Sequence, residues 1–381
     1  MVRSATARDF ETEPKLAEKL SWMRDFIDSE VIPGATSGGR HRMSIPDRQR
    51  AVVMPGPGEA VQVVERPVDT PGPGQVLVKV NASSLNFHDN VNLMGMLPGP
   101  WPRVPMTDGA GEVVALGPEV DELRVGDRVM GAFHPGWRDG PPTPAAKREL
   151  PGDTCDGWLQ QYRVADVTGL IRSPVHLSDV EAATIPCAGV TAWSALAEAD
   201  IGEGDVVVTQ GTGGVSLFAV QLARARGAAV ILTSSSDDKL RVGSALGATH
   251  LVNYRTTPDW ATEVKRLTGG RGAKLVVDLG GPATLPHSLH AAAMGGTIAV
   301  IGVLSGFDMA PIAVAELMLN NLRVIGITVG SVRAHRELCE EITRVGITPH
   351  ISHVFDWEQL DEALRVMRAG AHVGKIALTI R

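Results

Sequence analysis

The feature that most constrains the fold is a series of short, almost wholly apolar segments that alternates with helical patterns in the second half of the chain. A strand that is apolar on both faces is typical of a parallel sheet covered by helices on both sides. The alternation therefore predicts a doubly wound α/β domain. The segments are Val206–Gln210, Ala229–Ser234, His250–Tyr254, Ala273–Asp278, Thr297–Gly302 and Leu322–Ile327.

The first of these segments runs directly into a glycine-rich turn and then into a helical pattern. Gly211, Gly213 and Gly214 form the turn, and Val215 begins a helix that extends to Arg226. Glycines let the backbone approach a pyrophosphate, and a helix N-terminus supplies free N–H groups and the positive end of a dipole. A glycine turn without ligand is the alternative. The strand, turn and helix, with further parallel strands behind them, favour a Rossmann dinucleotide site.

The end of the second apolar segment bears on which dinucleotide is bound. An NAD site carries an acidic residue about 20 residues after the turn, which accepts from the ribose 2′-hydroxyl. Here the segment ends in hydroxyl side chains that include Ser234 and Ser235, and Lys239 follows. These groups suit a 2′-phosphate, so the sequence favours NADP(H). NAD(H) stays possible because Asp237 and Asp238 adjoin the lysine.

Composition and charge exclude several classes of function. Lys and Arg number 36 against 43 Asp and Glu, and this net charge of −7 argues against a nucleic-acid partner. The three cysteines exclude both a disulfide framework and a four-thiolate zinc site. The sequence has no apolar run that matches a bilayer and no secretory signal at its start. We therefore expect a cytoplasmic protein that acts on a small molecule and binds no membrane.

The first 47 residues differ from the rest of the chain. Apolar residues recur every three or four positions between Glu13 and Ile32, which predicts an amphipathic helix followed by a flexible linker. The stretch from Asp9 through Trp22 to Pro33 resembles the first helix of acyl-CoA dehydrogenases. We interpret it as an accessory helix that docks on the main body or on a partner subunit.

Residues from about 48 to 177 show short alternating strands between Pro- and Gly-rich turns, which predicts a small β-barrel. A set of ordered motifs then resembles the medium-chain dehydrogenase/reductase superfamily. This resemblance implies a GroES-like catalytic domain at 48–177, completed by the tail 329–381, with a nucleotide-binding domain at 178–328. The motifs are Asn86-Phe-His-Asp, Thr107–Val113, Gly126-Asp-Arg-Val, Ile185–Trp193, the turn at Gly211 and Gly374-Lys-Ile.

Zinc-containing members of that superfamily carry a catalytic Cys, a Gly-His-Glu motif and a further Cys or Asp. The corresponding positions here hold Asn86, Thr107-Asp108-Gly109 and Cys187, and one thiolate cannot hold a catalytic zinc. The lobe that binds a structural zinc in such members offers only His134 and Cys155. We therefore expect no metal, and the resemblance is closest to the zinc-independent branch of quinone oxidoreductases.

The same resemblance implies roles for individual residues. Asn86 would lie beside the nicotinamide and the substrate, and Asp89 would order its loop. The proton donor stays open between water, His88 and a ribose hydroxyl of the cofactor. The residues implied in cofactor binding beyond the glycine turn are Thr191, Ser234, Ser235, Lys239, Tyr254, Gly302, Val303, Leu304, Thr328 and Lys375.

The expected absence of zinc limits the chemistry. No Lewis acid would polarise a plain carbonyl, so hydride transfer would need an acceptor that is already electron-poor, such as a quinone or an α,β-unsaturated carbonyl. Asn86 or a backbone N–H would stabilise the enolate oxygen. The alternatives are an alcohol or aldehyde dehydrogenase and a non-enzymatic NADPH-binding protein. The resemblance also implies a homodimer, paired through the edge strand Leu322–Thr328.

Overall fold

The computed structural model describes residues 45–309 and 312–381, in which Asp47–Arg381 form one compact unit. The expected helix at Glu13–Ile32 lies outside the described residues. Within them, the strands form a two-stranded ribbon, a six-stranded sheet and a seven-stranded sheet. The strands are β1 (Arg48–Val53), β2 (Gln62–Pro67), β3 (Gln75–Ser84), β4 (Asp108–Leu116), β5 (Arg128–Gly131), β6 (Tyr162–Asp166), β7 (Leu170–Arg172), β8 (Val206–Gln210), β9 (Ala229–Ser234), β10 (His250–Asn253), β11 (Ala273–Asp278), β12 (Ala292–Val300), β13 (Arg323–Gly326), β14 (Ile351–Asp356) and β15 (Lys375–Thr379).

The six-stranded sheet is wholly parallel, with the order β10-β9-β8-β11-β12-β13. Strand order reverses between β8 and β11, and ligands of such sheets bind outside the carboxyl ends of the strands at this switch point. The glycine turn begins at Gly211, directly after β8. The predicted doubly wound sheet is therefore confirmed, and its switch point lies at the predicted nucleotide site.

The seven-stranded sheet combines strands from the first half of the chain with strands from its tail. Its order is β14-β15-β3-β4-β5-β7, and β6 pairs with β3. Strand β15 runs antiparallel to β3, so residues near 376–379 lie beside residues near 82–84. The α/β fold class, a GroES-like part and a Rossmann sheet, is confirmed. The exact domain boundaries at 47, 177 and 328 stay predictions.

Helices cover both faces of the six-stranded sheet, and other helices pack against the seven-stranded sheet. A large apolar core lies between the six-stranded sheet and its helices, and a second surrounds the buried side chains of Trp158 and Trp357. None of these helices combines the length and the apolar character that crossing a bilayer requires. They are α1 (Phe87–Leu93), α2 (Asp179–Ala182), α3 (Val190–Glu198), α4 (Gly214–Ala225), α5 (Asp237–Ala245), α6 (Trp260–Leu267), α7 (Leu285–Ala291), α8 (Val314–Leu319), α9 (Val332–Val345) and α10 (Leu360–Arg368).

Candidate active site

A cluster of buried polar side chains lies where β3, β4 and β15 meet. Asp108 begins β4 opposite Ser84, the last residue of β3, and Lys375 begins β15. The Nδ2 of Asn86 donates to Asp108 Oδ2 at 2.8 Å and to Thr107 Oγ1 at 3.1 Å. Lys375 Nζ donates to Asn86 Oδ1 at 2.5 Å. These partners fix the orientation of the amide, with its oxygen toward the ammonium and its nitrogen toward the carboxylate.

Charge in this cluster is balanced by a buried ion pair. Lys375 Nζ also donates to the Leu85 carbonyl at 2.7 Å and lies 3.6 Å from Asp108 Oδ2. Burial raises the pKa of Asp108 to about 6, while Lys375 lowers it and Asp89 raises it further. Asp108 Oδ1 has no hydrogen-bond partner among residues 45–309 and 312–381. The carboxyl therefore changes its protonation close to neutral pH.

Asp89 links the start of α1 to the residue that precedes β4. Its two carboxylate oxygens accept the backbone N–H groups of Asn86 at 2.8 Å and Thr107 at 2.9 Å. Burial raises its pKa, and the charge of His88 and these two N–H groups oppose that rise. Asp89 thus fixes the backbone on both sides of the Asn86 side chain, which is a positioning role.

Cys187 lies beside the same cluster, in a π-helical turn at Ile185–Gly189 that leads into α3. Burial raises the pKa of its thiol well above the ordinary value, and the charge of Asp108 raises it further. The thiol is therefore protonated at neutral pH. The positions that the superfamily uses for zinc ligands, Asn86, Asp108 and Cys187, thus converge in this structure, but they hold an amide, a carboxyl and a neutral thiol.

His88 lies beside the loop that precedes β6. Its Nε2 lies 3.3 Å from Asp153 Oδ2, and the side chain is 29% exposed. Its ring also meets Phe133 edge to face, with centroids 5.6 Å apart. His88 thus lies at the surface of the cleft, between a carboxylate and an aromatic ring.

Met106 adopts a backbone conformation that the sequence did not signal. Its φ is +79°, although its side chain is wholly buried and it is not a glycine. The Met106 carbonyl accepts the N–H of Trp158 at 2.9 Å, which holds this conformation. Left-handed backbone at a non-glycine residue is costly and gathers at functional sites. Here it sets the direction in which Thr107 and Asp108 enter the cluster.

The glycine turn leaves room for a ligand backbone. Gly211 has a φ of +73°, and a Cβ added at Gly211 or Gly213 would meet no other atom within 4 Å. A Cβ at Gly214 would lie 2.5 Å from Lys375 Cδ, so this glycine permits close packing of the tail. Val215 follows in the first turn of α4. The turn therefore fits a pyrophosphate, and Lys375 lies between it and the Asn86 cluster.

The predicted adenosine residues gather at the carboxyl end of β9. Ser234 is buried, Ser235 is half-buried, and the Tyr254 N–H donates to the Ser234 carbonyl at 3.0 Å. Lys239 extends from α5 to the tail, where its Nζ donates to the carbonyls of Gly370 and, at 3.2 Å, His372. A 2′-phosphate would therefore compete with two backbone carbonyls for the ammonium of Lys239.

The residues implied in nicotinamide binding lie on three elements. Thr191, in α3, is buried and donates its hydroxyl to the Cys187 carbonyl at 2.6 Å. Gly302 and Val303 are half-buried after β12, whereas Leu304 is exposed. Thr328 is exposed after β13. The Thr191 hydroxyl is thus engaged by the π-helical turn that leads into α3, while the other positions follow strands at the carboxyl edge of the sheet.

Sequence analysis missed a buried network at the switch point. Asp278 Oδ2 accepts the Ser288 hydroxyl at 2.6 Å, and Gln210 Nε2 donates to the same hydroxyl at 2.7 Å. Gln210 Oε1 in turn accepts the N–H of Leu279 at 3.2 Å. The network joins the carboxyl ends of β8 and β11 below the glycine turn. Its signal was a polar residue at the end of each apolar strand.

Comparison with known proteins decides the family. The chain matches the model of the alcohol dehydrogenase GroES-like domain over residues 72–175 and that of zinc-binding dehydrogenases over residues 214–344. It is 40% identical to a zinc-type alcohol dehydrogenase-like protein of Schizosaccharomyces pombe, over 81% of this chain and 91% of that relative. The chain belongs to the medium-chain dehydrogenase/reductase superfamily.

Two other similarities bear on the reaction. The crystal structure of an NAD-dependent alcohol dehydrogenase has a TM-score of 0.80 at 33% identity, covering 87% of this chain and 100% of that one. The acryloyl-coenzyme A reductase of Metallosphaera sedula is 26% identical over 87% of this chain and 99% of that relative. This superfamily member is thus an NAD(P)-dependent oxidoreductase. The predicted nicotinamide cofactor is confirmed, and the non-enzymatic alternative has no support.

Proposed function

We propose that this oxidoreductase is an NADP(H)-dependent, zinc-free reductase of quinones or α,β-unsaturated carbonyls. One observation carries the proposal. The buried ammonium of Lys375 donates a hydrogen bond to Asn86 and forms an ion pair with Asp108, at the positions where zinc members hold their metal. A positive charge that belongs to the chain itself lies where those members bind a cation. The acceptor must then already be electron-poor, because no metal ion polarises it.

The donor set at these positions does not fit a catalytic zinc. Such a site takes three protein ligands, and a thiol must lose its proton to bind. Both ends of the Asn86 amide are already bonded, the Cys187 thiol has a raised pKa, and Lys375 repels a second cation. Among the residues that the structure describes, no three His, Cys, Asp or Glu side chains form a group that could hold a metal.

Bound NADPH would supply a hydride to the electron-poor carbon of the acceptor, and the chain supplies the surroundings. Gly211 and Gly213 receive the pyrophosphate, and Lys375 lies between this turn and the substrate-side cluster. His88 is half-buried at the cleft and paired with Asp153, so we propose that it donates the proton to the reduced acceptor. The hydroxyls of Ser234 and Ser235, with no carboxylate before Asp237, support a 2′-phosphate and hence NADP(H).

The structure changes one expectation about the oxyanion. From the sequence, we expected Asn86 or a backbone N–H to stabilise the enolate oxygen, but both N–H bonds of Asn86 Nδ2 are directed to Asp108 and Thr107. An amide nitrogen has two hydrogens, so Asn86 has none left. Asn86 therefore acts as a positioning residue that holds Lys375 and Asp108. We propose that a backbone N–H stabilises the enolate oxygen.

An acceptor panel tests the proposed function. Purified protein is assayed for NADPH and NADH oxidation with a naphthoquinone, an aryl enone, the matching saturated ketone and a plain aldehyde. We expect turnover of the quinone or enone, with the saturated ketone and aldehyde at background. Turnover of the aldehyde, or of the corresponding alcohol with NADP⁺, at a rate that exceeds that of the enone would favour an alcohol dehydrogenase. The match to zinc-binding dehydrogenases supports that second candidate.

We also propose that two copies pair through β13. This strand is at the end of its sheet and pairs with β12 on one side. Val324 on the strand, and Met318 and Leu319 on the helix α8 that precedes it in the chain, are exposed apolar side chains. An open edge strand with apolar neighbours is a template for pairing, and a symmetric dimer satisfies it. A cytoplasmic location, and the lack of nucleic-acid and membrane partners, stay predictions.

A further inference from the structure

A lysine outside the cluster described above lies at the gap between the two sheets. Lys147 belongs to the loop that follows β5, and its Nζ donates to the hydroxyl of Thr328, which follows β13. The carboxyl edge of the six-stranded sheet is the edge at which ligands bind. Lys147 is half-buried, so its ammonium is accessible at this edge.

The ammonium of Lys147 has fewer hydrogen-bond partners than the ammonium groups of four other lysines in the described structure. Lys239, Lys265, Lys274 and Lys375 each donate to two protein oxygen atoms. Lys147 has the single Thr328 hydroxyl and the face of an indole ring. No carboxylate within residues 45–309 or 312–381 forms an ion pair with it, so its positive charge is not neutralised by the protein.

A continuous row of rings leads from His88 to this lysine. Phe133 meets the ring of His88, His134 follows at 4.9 Å from Phe133, and Trp137 follows at 6.3 Å from His134. Lys147 Nζ lies 5.1 Å from the centre of the Trp137 ring. We call these four rings the aromatic wall. His88 and Trp137 are half-buried, and Phe133 and His134 are buried.

The far end of the aromatic wall is held rigidly. Val332 and Arg333, at the start of α9, donate their N–H groups to the carbonyls of Trp137 at 2.8 Å and Arg138 at 3.1 Å. Val329, next to Thr328, has a φ of +64°, which is a genuine outlier for a β-branched residue. Such strain gathers at ligand sites, where the surrounding structure maintains it.

Two electrostatic effects point to an anion at this place. Partial burial lowers the pKa of Lys147, and burial together with the charge of Lys147 lowers the pKa of His134 to about 4. His134 is therefore neutral at pH 7, and its Nδ1 has no partner among the described residues. A bound anion would complete the partners of the ammonium and oppose its desolvation.

We propose that Lys147 binds a carboxylate at the far end of an elongated, planar substrate whose reactive double bond lies near His88. This inference rests on the proposed function and narrows its substrate class to anionic conjugated carbonyl compounds. The half-buried rings of His88 and Trp137, at the two ends of the aromatic wall, account for the planar body, because flat conjugated groups pack on aromatic rings. The lysine accounts for the anion, because a charge-assisted hydrogen bond in a partly buried site is strong.

The test uses matched substrates that differ in one charge. Aryl enones carrying a carboxylate on a linker of increasing length are compared with their methyl esters by kcat/KM with NADPH. For the best linker we expect the wild type to prefer the carboxylate by roughly ten- to a hundredfold, the range of a hydrogen bond to a charged group. K147M should abolish that preference and leave the ester within about twofold of the wild type.

Two further variants separate charge from shape. K147R keeps the charge and should retain most of the preference for the carboxylate, whereas K147E should reverse it. Lys274 lies at the amino end of β11, away from the carboxyl edge of the sheet. K274M is therefore the matched control, and it should leave kcat/KM unchanged for both the carboxylate and the ester. An unchanged ratio of carboxylate to ester in K147M would overturn the proposal.

A binding measurement distinguishes failure here from failure of the proposed function. The saturated carboxylate, which cannot be reduced, is titrated calorimetrically into the enzyme with NADP⁺, and its methyl ester serves as the control. Tighter binding of the carboxylate that is lost in K147M supports the lysine site even if no enone turns over. Equal binding in wild type and K147M refutes it even if neutral enones are good substrates.

Discussion

At the scale of single residues, the candidate site depends on which polar groups reach one buried place. Sequence motifs placed Asn86, Asp108 and Cys187 at corresponding zinc-ligand positions, and the structure brings them together. The motifs could not show that Lys375 would fill the space between them, because this depends on how β15 pairs with β3. The strained backbone of Met106 and Val329 was equally hidden, since only tertiary contacts maintain it.

Lys375→Met should destabilise the protein strongly. It leaves the buried Asp108 carboxylate without its cation, and breaking one side of a buried pair costs about 3–5 kcal/mol. The double variant Lys375→Met with Asp108→Asn removes both charges and should recover much of that loss. Urea unfolding at pH 7.5 measures both. A single variant as stable as the wild type would mean that the pair is not formed.

His88→Gln should lower kcat for an enone or a quinone by about a hundredfold, the lower range for loss of a general acid. The KM for NADPH should stay unchanged, because the contacts that the structure describes for His88 are with Asp153 and Phe133. Steady-state kinetics with each substrate varied in turn provides the check. A normal kcat would transfer proton donation to water or to a ribose hydroxyl.

Lys239→Ala should weaken NADPH binding far more than NADH binding, because only NADPH carries the 2′-phosphate. The lysine also holds the carbonyls of Gly370 and His372, so a modest loss common to both cofactors is expected from the tail. Fluorescence titration with each cofactor measures the ratio. An equal loss for both would remove Lys239 from the phosphate site and leave it as a tail contact.

At the scale of helices and strands, predictability followed apolar composition. The strands β8 to β13 are mainly apolar and were all predicted from sequence. The strands β6, β7 and β14 were missed, because they are short or expose part of their side chains and carry charged or polar residues among apolar ones. Helix α1 was missed because its seven residues hold four polar side chains, yet it carries His88 and Asp89.

Helix α9 carries a group that should make the protein sensitive to acid. His335 is buried, neither ring nitrogen has a partner in the described structure, and burial lowers its pKa to about 3. The unfolded chain keeps the ordinary value near 6.5, so below that pH the unfolded state binds the extra proton. Stability should therefore be complete above about pH 6.5 and fall as the pH drops toward 3.

His335→Leu should flatten that decline, since the unfolded chain then has no proton to gain at this position. The urea midpoint of the variant and the wild type is compared at pH 7.5 and pH 5. His287→Leu is the control, because His287 is exposed on α7. A decline between the two pH values that is equally steep in His335→Leu would assign the acid sensitivity to other groups.

At the scale of the whole molecule, one cleft combines a nucleotide turn with a charged cluster from the other sheet. The resemblance in ordered motifs was enough to predict both parts of the fold, because these motifs span most of the chain. It could not give the substrate, which depends on surfaces such as the aromatic wall that form from loops distant in sequence. The exposed edge at β13 bears on assembly and not on the reaction.

Val324→Asp should weaken the proposed dimer. The side chain is exposed on β13, so the change leaves the fold of one subunit intact but puts a charge into the pairing edge. Light scattering coupled to size exclusion should give a dimer for the wild type and a shift toward monomer for the variant. A wild type that is monomeric at micromolar concentration would end the proposal.

We propose that the buried ammonium of Lys375 takes the place of a metal and that this restricts the enzyme to activated double bonds. The most direct measurement combines metal analysis with turnover of an aryl enone and its saturated ketone, before and after exhaustive treatment with a chelator. We expect less than about 0.1 zinc per chain and enone reduction that the chelator does not change. One zinc per chain, with turnover lost on chelation and restored by zinc, would contradict it.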